Sequence, residues 1–217
     1  MRSMRLGGPE STPRTVSAPS VPAPSFGATW EELGREIREC TRCALHATRT
    51  NAVIYRGSPT PRVLFVGEAP GANEDRLGVP FVGRSGQRLD AAIAATDLRP
   101  DQVGVLNLIK CRPPKNVFDR TAATACRPYL DRQVAWLRPS ILVSLGSHAL
   151  HALDPTAPRI LIAAGSPRPL GERTLFPLIH PAAALRSRAL TERWRVDVTA
   201  LGTWLAHPDS ALAREPI

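Results

Sequence analysis

Arg62-Val63-Leu64-Phe65-Val66-Gly67, running straight into Glu68-Ala69-Pro70-Gly71, is the stretch on which the fold turns. Four consecutive apolar β-formers with no polar interruption describe a strand buried on both faces, as in a parallel sheet covered by helices. The glycine that ends it lets backbone approach a ligand closely, and Pro70 stiffens the turn that follows. Working outward, Val103–Ile109, Ile141–Leu145, Ile160–Ala163 and Thr174–Ile179 read as further strands. Between them lie helical patterns. Ser85 is placed to cap a helix carrying Leu89, Ile93 and Ala94; Thr121–Leu137 presents Tyr129, Val134 and Leu137 on one side; a short helix runs from Ala149 to Leu153; and Leu190–Leu205 closes the chain. Before the first strand, Trp30, Leu33 and Ile37 recur at helical spacing as far as Cys40. Strands alternating with helices predict a mainly parallel sheet with helices on both faces, its ligands gathered at the carboxyl ends of the strands. Three loops sit there: Gly67–Arg84, Cys111–Arg120 and His180–Arg186.

The chain has 217 residues, enough for one domain of ordinary size. Residues 1–28 form a Pro/Ser/Gly-rich tail expected to be disordered, leaving 29–217 as the folded unit. No apolar run approaches the ~20 residues that cross a bilayer, and the N-terminus lacks the apolar core of a secretory signal. A cytoplasmic, nucleoid-associated bacterial protein is the expectation. Lys and Arg exceed Asp and Glu to give a net charge of +9, which calls for a polyanionic partner. Lys occurs only at 110 and 115, so nearly all that charge is Arg.

Four cysteines in a chain this long are too few for a disulfide scaffold. Cys40-Thr-Arg-Cys43 is a C-x-x-C at a helix end; Cys111 stands in a Lys-Cys-Arg-Pro-Pro loop and Cys126 in the helix beyond it. Four thiolates suit tetrahedral zinc or a 4Fe-4S cluster, and spacing alone does not choose, although a second close Cys or His pair typical of zinc is missing. The competing reading is two core cysteines beside an accidental pair; against it, Cys111 and Cys126 stand among polar sequence neighbours, where a small buried hydrophobe gains little.

In the loop Gly67–Gly86, Phe81 between Pro80 and Val82 is an aromatic on a rigid support, suited to stacking on a flat base. Glu68 and Glu74 are the acids able to manage a water there, with Asp75 as a loop brace. Gly78–Ser85 also fits a degenerate phosphate loop with Arg84 in the lysine position, but it starts well beyond the strand and Pro80 removes an amide that such a cradle uses.

Together these motifs resemble the family 4 uracil-DNA glycosylases, the iron-sulfur branch of the uracil-DNA glycosylase superfamily. The resemblance extends from about Thr29 to Leu205 and rests on Cys40 with Cys43, Gly67-Glu-Ala-Pro-Gly71 with Glu74-Asp75, and Pro80-Phe-Val-Gly83. Asn107 before Lys110-Cys-Arg-Pro-Pro114, Cys126-Arg-Pro-Tyr-Leu130 and His180-Pro-Ala-Ala-Ala-Leu-Arg186 complete it in the same order. It implies a three-layer α/β/α sandwich around a four-stranded, mainly parallel sheet, a 4Fe-4S cluster on Cys40, Cys43, Cys111 and Cys126, and excision of uracil from DNA.

On that resemblance Phe81 stacks on the base, Asn107 reads its N3–H and O4 with one amide and so rejects cytosine, and His180 donates to the O2 that gains charge as the bond breaks. Glu68, the acid nearest the strand end, positions the attacking water, although better-known branches carry an Asp one residue later, where Ala69 stands here. Backbone amides of Gly67 and Glu68 are further donors to O2. Leu185 and Arg186 enter the minor groove as the base rotates out, and Arg84 is a further DNA contact; the alternative for Leu185 is an apolar residue opening the last helix. Segment Lys110–Arg127 has no histidine for covalent trapping, and neither lysine lies in a lyase motif, so hydrolysis with turnover is expected. The partner is uracil-containing DNA, single- or double-stranded, met by a monomer away from membranes. Ala164-Gly-Ser-Pro-Arg-Pro169 departs from the Arg-Gly turn of relatives. The competing function is a catalytically silent iron-sulfur DNA-binding protein of the same fold.

Overall fold

A computed structural model describes residues 29–208; the predicted tail 1–28 and residues 209–217 lie outside the described residues. The elements in chain order are α1 (Trp30–Arg38), β1 (Arg56–Gly57), β2 (Val63–Gly67), α2 (Ala72–Leu77), α3 (Arg84–Ala94) and β3 (Val103–Asn107). They continue with α4 (Arg120–Leu137), β4 (Ile141–Leu145), α5 (Ser147–Leu153), α6 (Ile160–Ala163), β5 (Arg168–Leu170), β6 (Arg173–Leu178) and α7 (Arg188–Ala206). The sheet order is β1-β3-β2-β4-β6-β5. Its four inner strands are all parallel, as expected, and the two short edge strands β1 and β5 pair antiparallel.

Alternation along the inner strands sorts the core into two layers. Val63, Phe65, Val105, Val143 and Phe176 point to the side covered by α3 and α7, against Leu89, Trp194, Leu201 and Trp204. Leu64, Val66, Leu106, Leu142 and Leu175 point to the other side, against Ala122 and Leu130 of α4 and Leu150 of α5. Each such side chain taken from water adds about 1.5–3 kcal/mol, so both faces of the sheet drive folding. At the outer margin α1 packs Leu33 and Ile37 on Tyr129 of α4. Its start is fixed by a reciprocal cap: the Glu32 amide donates to Thr29 Oγ1 at 3.1 Å, and the Thr29 amide to Glu32 Oε2 at 2.6 Å.

Three local expectations are corrected. Residues 160–163 form one helical turn, not a strand: Ile160 and Ala163 face inward, three apart, while Leu161 and Ile162 are exposed. Helix α3 is capped by Gly83, not Ser85, which lies inside it. The long loop after β2 contains α2, stopped by Gly78 in the left-handed region at φ +72°.

Candidate active site

Four parallel strands end at one edge of the sheet, and each delivers a residue there. Gly67 closes β2 and is paired in register with Asn107, which closes β3. The ladder runs on past both, with Leu108 N–H donating to Gly67 O and Ile109 N–H to Glu68 O, each at 2.9 Å, so the backbone entering the loop at Glu68 is held to the sheet. Gly146 follows β4 and His180 lies two residues past β6.

Gly67 is a glycine because of what stands over it. A Cβ there would run into Asn107 Oδ1 and come within 2.5 Å of the Phe81 ring tip. The Phe81 backbone is in the left-handed region, φ +57°, an unfavourable place for an aromatic residue. Two features hold it. The Glu74 carboxylate accepts from the amides of Val82 at 2.9 Å and Gly83 at 2.8 Å through Oε1, and from Gly71 at 3.1 Å through Oε2. Gly86, bare of Cβ, lets α3 close onto the Phe81 carbonyl. Glu74 is thus a loop brace, correcting the expectation that it manages water: its oxygens are already taken by amides. Asp75 is a brace as expected, its Oδ1 accepting from Thr50 N–H at 2.9 Å and Asn51 N–H at 3.3 Å.

Asn107 is 1% exposed, and its Oδ1 is buried with no hydrogen-bond partner. Leaving such an acceptor unpaired costs about 1–3 kcal/mol. The Phe81 and His180 rings face one another at 6.1 Å between centroids with 31° between planes. His180 Nδ1 accepts the Ala182 N–H at 3.1 Å, so in the neutral ring the hydrogen sits on Nε2. Packing around the ring, only partly offset by the Glu68 charge, pulls its pKa down to about 4. Gly146, at φ +89°, makes room for it: a Cβ there would stand 3.0 Å from the His180 Cβ.

Glu68 reaches out from the strand end, 29% exposed at its side chain, and Oε2 lies 2.7 Å from Nδ1 of His148. The His148 ring stacks on Phe118 at 3.6 Å and 5° between planes. Sequence reasoning passed over both, since neither belongs to a recognisable motif; the available signal was the position of His148 immediately past the third inner strand. Leu185 ends a single helical turn, Ala183–Leu185, ahead of α7, and is 39% exposed; it does not open the last helix. Arg186 is exposed beside it, its charge felt at His180, and Arg84 is the exposed first residue of α3.

The four cysteines are free thiols. Cys40 and Cys43 follow α1, while Cys111 and Cys126 are each 4% exposed in the apolar layer with Leu45, Ile109 and Leu130. The polar surroundings expected for the latter two are therefore found only in part: both sulfurs lie in the apolar layer, yet the buried Lys110 amine stands close enough for its charge to act on each. Electrostatically the four form one group: Cys111 senses Cys40 and Cys43, and Cys126 senses Cys111 and Cys43. Burial raises the Cys111 thiol above its ordinary range and pushes Cys126 up to about 11. Arg49 donates to Cys111 Sγ at 3.3 Å and to the Cys40 carbonyl at 2.8 Å, tying the two halves together. Among the described residues no three His, Cys, Asp or Glu side chains close around a single ion. Four unbridged thiols from two segments, one of them accepting from a guanidinium, supply a donor set that fits a thiolate-bound group.

Comparison with known proteins sets the class. A family model described as the uracil DNA glycosylase superfamily matches residues 54–200, which include all four inner strands and their terminal loops but not the first cysteine pair. The type-4 uracil-DNA glycosylase of Sulfurisphaera tokodaii is 40% identical over 165 residues, 71% of this chain and 75% of that protein. Those of Thermotoga maritima and Archaeoglobus fulgidus are 37% identical over 73% of this chain and 36% over 79%, covering 84% and 91% of the relatives. The type-5 uracil-DNA glycosylase of Mycobacterium tuberculosis is 32% identical over 52% of this chain and 47% of that protein. The chain belongs to the uracil-DNA glycosylase superfamily, in its type-4 branch.

Proposed function

We propose that this protein is a DNA repair glycosylase that hydrolyses the N-glycosidic bond of deoxyuridine rotated out of DNA, releasing uracil and leaving an abasic site. The observation that carries the reading is the unpartnered Oδ1 of buried Asn107, set beside the Phe81 ring over a glycine whose missing Cβ lets both approach the strand end. A flat ligand with a donor on its edge would relieve it. Uracil offers N3–H to Oδ1 and O4 to the Asn107 amide nitrogen, whereas cytosine presents the opposite pattern and leaves both groups of the site unpaired.

Phe81 stacks on the ring and His180 donates from Nε2. A neutral imidazole suits this task, because the charge it meets develops only as the bond to the base breaks. Glu68 holds water at the sugar C1′. The water oxygen bonds to C1′, its proton passes to the Glu68 carboxylate, and the N1–C1′ electron pair leaves with uracil. Amides of Gly67 and Glu68 assist at O2. Leu185 fills the gap in the stack, and Arg186 and Arg84 contact phosphates. Lys110 is 1% exposed and donates to the Asn107 carbonyl, which favours hydrolysis over amine-based lyase chemistry. Cys40, Cys43, Cys111 and Cys126 would hold a 4Fe-4S cluster, which when bound supplies a covalent tie between the end of α1 and the segment from β3 to α4. The partner is uracil-containing DNA, single- or double-stranded, and the acting unit is a monomer in the cytoplasm. No helix among the described residues is long and apolar enough to cross a membrane.

The test is excision from uracil-containing single- and double-stranded oligonucleotides, read as free uracil and alkali-labile sites. The wild-type protein should produce both; N107A should lose at least about 100-fold in rate. Its melting temperature should not fall, because the substitution removes a buried acceptor that nothing satisfies. DNA binding without alkali-labile sites would overturn the reading in favour of a silent binding protein.

A further inference from the structure

Glu68 is not left to choose its own rotamer. His148, the second residue of α5, stands across from it with Nδ1 2.7 Å from Oε2. An ionised carboxylate can only accept, so Nδ1 carries the hydrogen and donates it. The ring that makes this bond is itself held flat, 3.6 Å from the Phe118 ring and 5° from parallel. Three segments distant in the chain meet here: the loop after β2, the segment before α4 and the start of α5.

Stability does not account for the arrangement. The His148 side chain is 45% exposed and that of Glu68 29%, and an exposed ion pair of this kind adds only about 0–1 kcal/mol. What the contact does restrict is geometry. A glutamate has three side-chain torsions; with Oε2 tied to an imidazole that cannot tilt, the other oxygen is presented in one direction. The remaining charged groups nearby do not compete for Glu68. His180 feels the charges of both Glu68 and His148, and Arg120, Arg127 and His151 line a cavity of about 530 Å³ on the flank of Phe118 and His148, with no acid among its lining residues.

We propose that His148, clamped by Phe118, is a positioning residue that aims the Glu68 carboxylate at the attacking water. The inference rests on the role given to Glu68 above and adds the device that fixes it. Water activation is sensitive to such aim, since a misplacement of about 1 Å can cost about 100-fold in rate.

The experiment compares H148A, H148N, F118A, E68A and the double variant E68A/H148A of the full chain, measuring kcat and KM on a uracil-containing oligonucleotide and melting temperature. H148A should lower kcat about 10- to 100-fold while KM stays within about threefold and melting within about a degree. H148N, whose amide nitrogen reaches the place of Nδ1, should recover most of the rate. F118A should fall between H148N and H148A. The decisive readout is coupling: with Glu68 gone, removing His148 should cost nothing more. Wild-type kcat in H148A beside a slow E68A would overturn the proposal and leave the role of Glu68 standing, as would losses that multiply in the double variant. Wild-type excision in E68A would overturn the role of Glu68 itself, and the proposal with it.

Discussion

His180 stands past the end of β6 as a neutral imidazole, and pH can show it. Packing lowers its pKa from the ordinary 6.5 to about 4, so the folded protein refuses a proton that the unfolded chain accepts. Above pH 6.5 this has no effect on stability; as pH falls from 6.5 towards about 4 the group lowers stability progressively, and below that the loss levels off. In NMR spectra the His180 ring signals should stay unchanged between about pH 8 and pH 5, and an ordinary titration midway in that range would contradict the geometry. At this scale much of the site is legible in sequence. Gly67, Asn107 and His180 stand at or just past strand ends, where a parallel sheet places its chemistry, so motif and fold support one another. His148 is not legible, because its meaning lies in a partner 80 residues away. Glu74 misleads for a related reason: an acid beside a site looks chemical until its oxygens are seen to be occupied by amides.

The loop between β2 and α3 behaves as an element in its own right. Glu74 gathers the amides of Gly71, Val82 and Gly83, and the left-handed Phe81 sits inside that clasp. Hydrogen bonds to a charged group contribute about 1.5–3 kcal/mol each, so E74A should lose at least that much stability in denaturant unfolding. It should also lose excision rate, since the aromatic plate is no longer held; a variant with unchanged stability and rate would show that the clasp is incidental. E74Q should fall between, because Oε1 can still serve two amides while the new NH2 faces the third. Elements with long periodic patterns, such as α4 and α7, are readable within a residue or two. Ile160–Ala163 is not: four apolar residues carry too little period to separate one helical turn from a buried strand, and only the exposure of Leu161 and Ile162 reveals which it is. The cap of α3 is missed because Gly83 acts through its backbone, donating to Glu74 instead of offering a side chain.

For the molecule as a whole, the net charge of +9 governs how it meets DNA. Affinity should fall linearly in log–log terms as salt rises from about 50 to 200 mM, and R186A or R84A should each flatten the slope by about 0.9 on duplex DNA and about 0.7 on single strands. Fluorescence anisotropy titrations measure this directly, and an unchanged slope would remove that arginine from the phosphate contacts. The sheet order has a consequence of another kind. Strand β2, apolar throughout, is made first of the four inner strands yet lies between β3 and β4, both synthesised later. A ribosome-bound chain therefore carries that greasy ribbon with a raw margin until Leu145 has emerged. During that interval it is exposed to sticking to its neighbours, and a growing polypeptide stalled short of that point should be a preferred client of the cell's folding helpers.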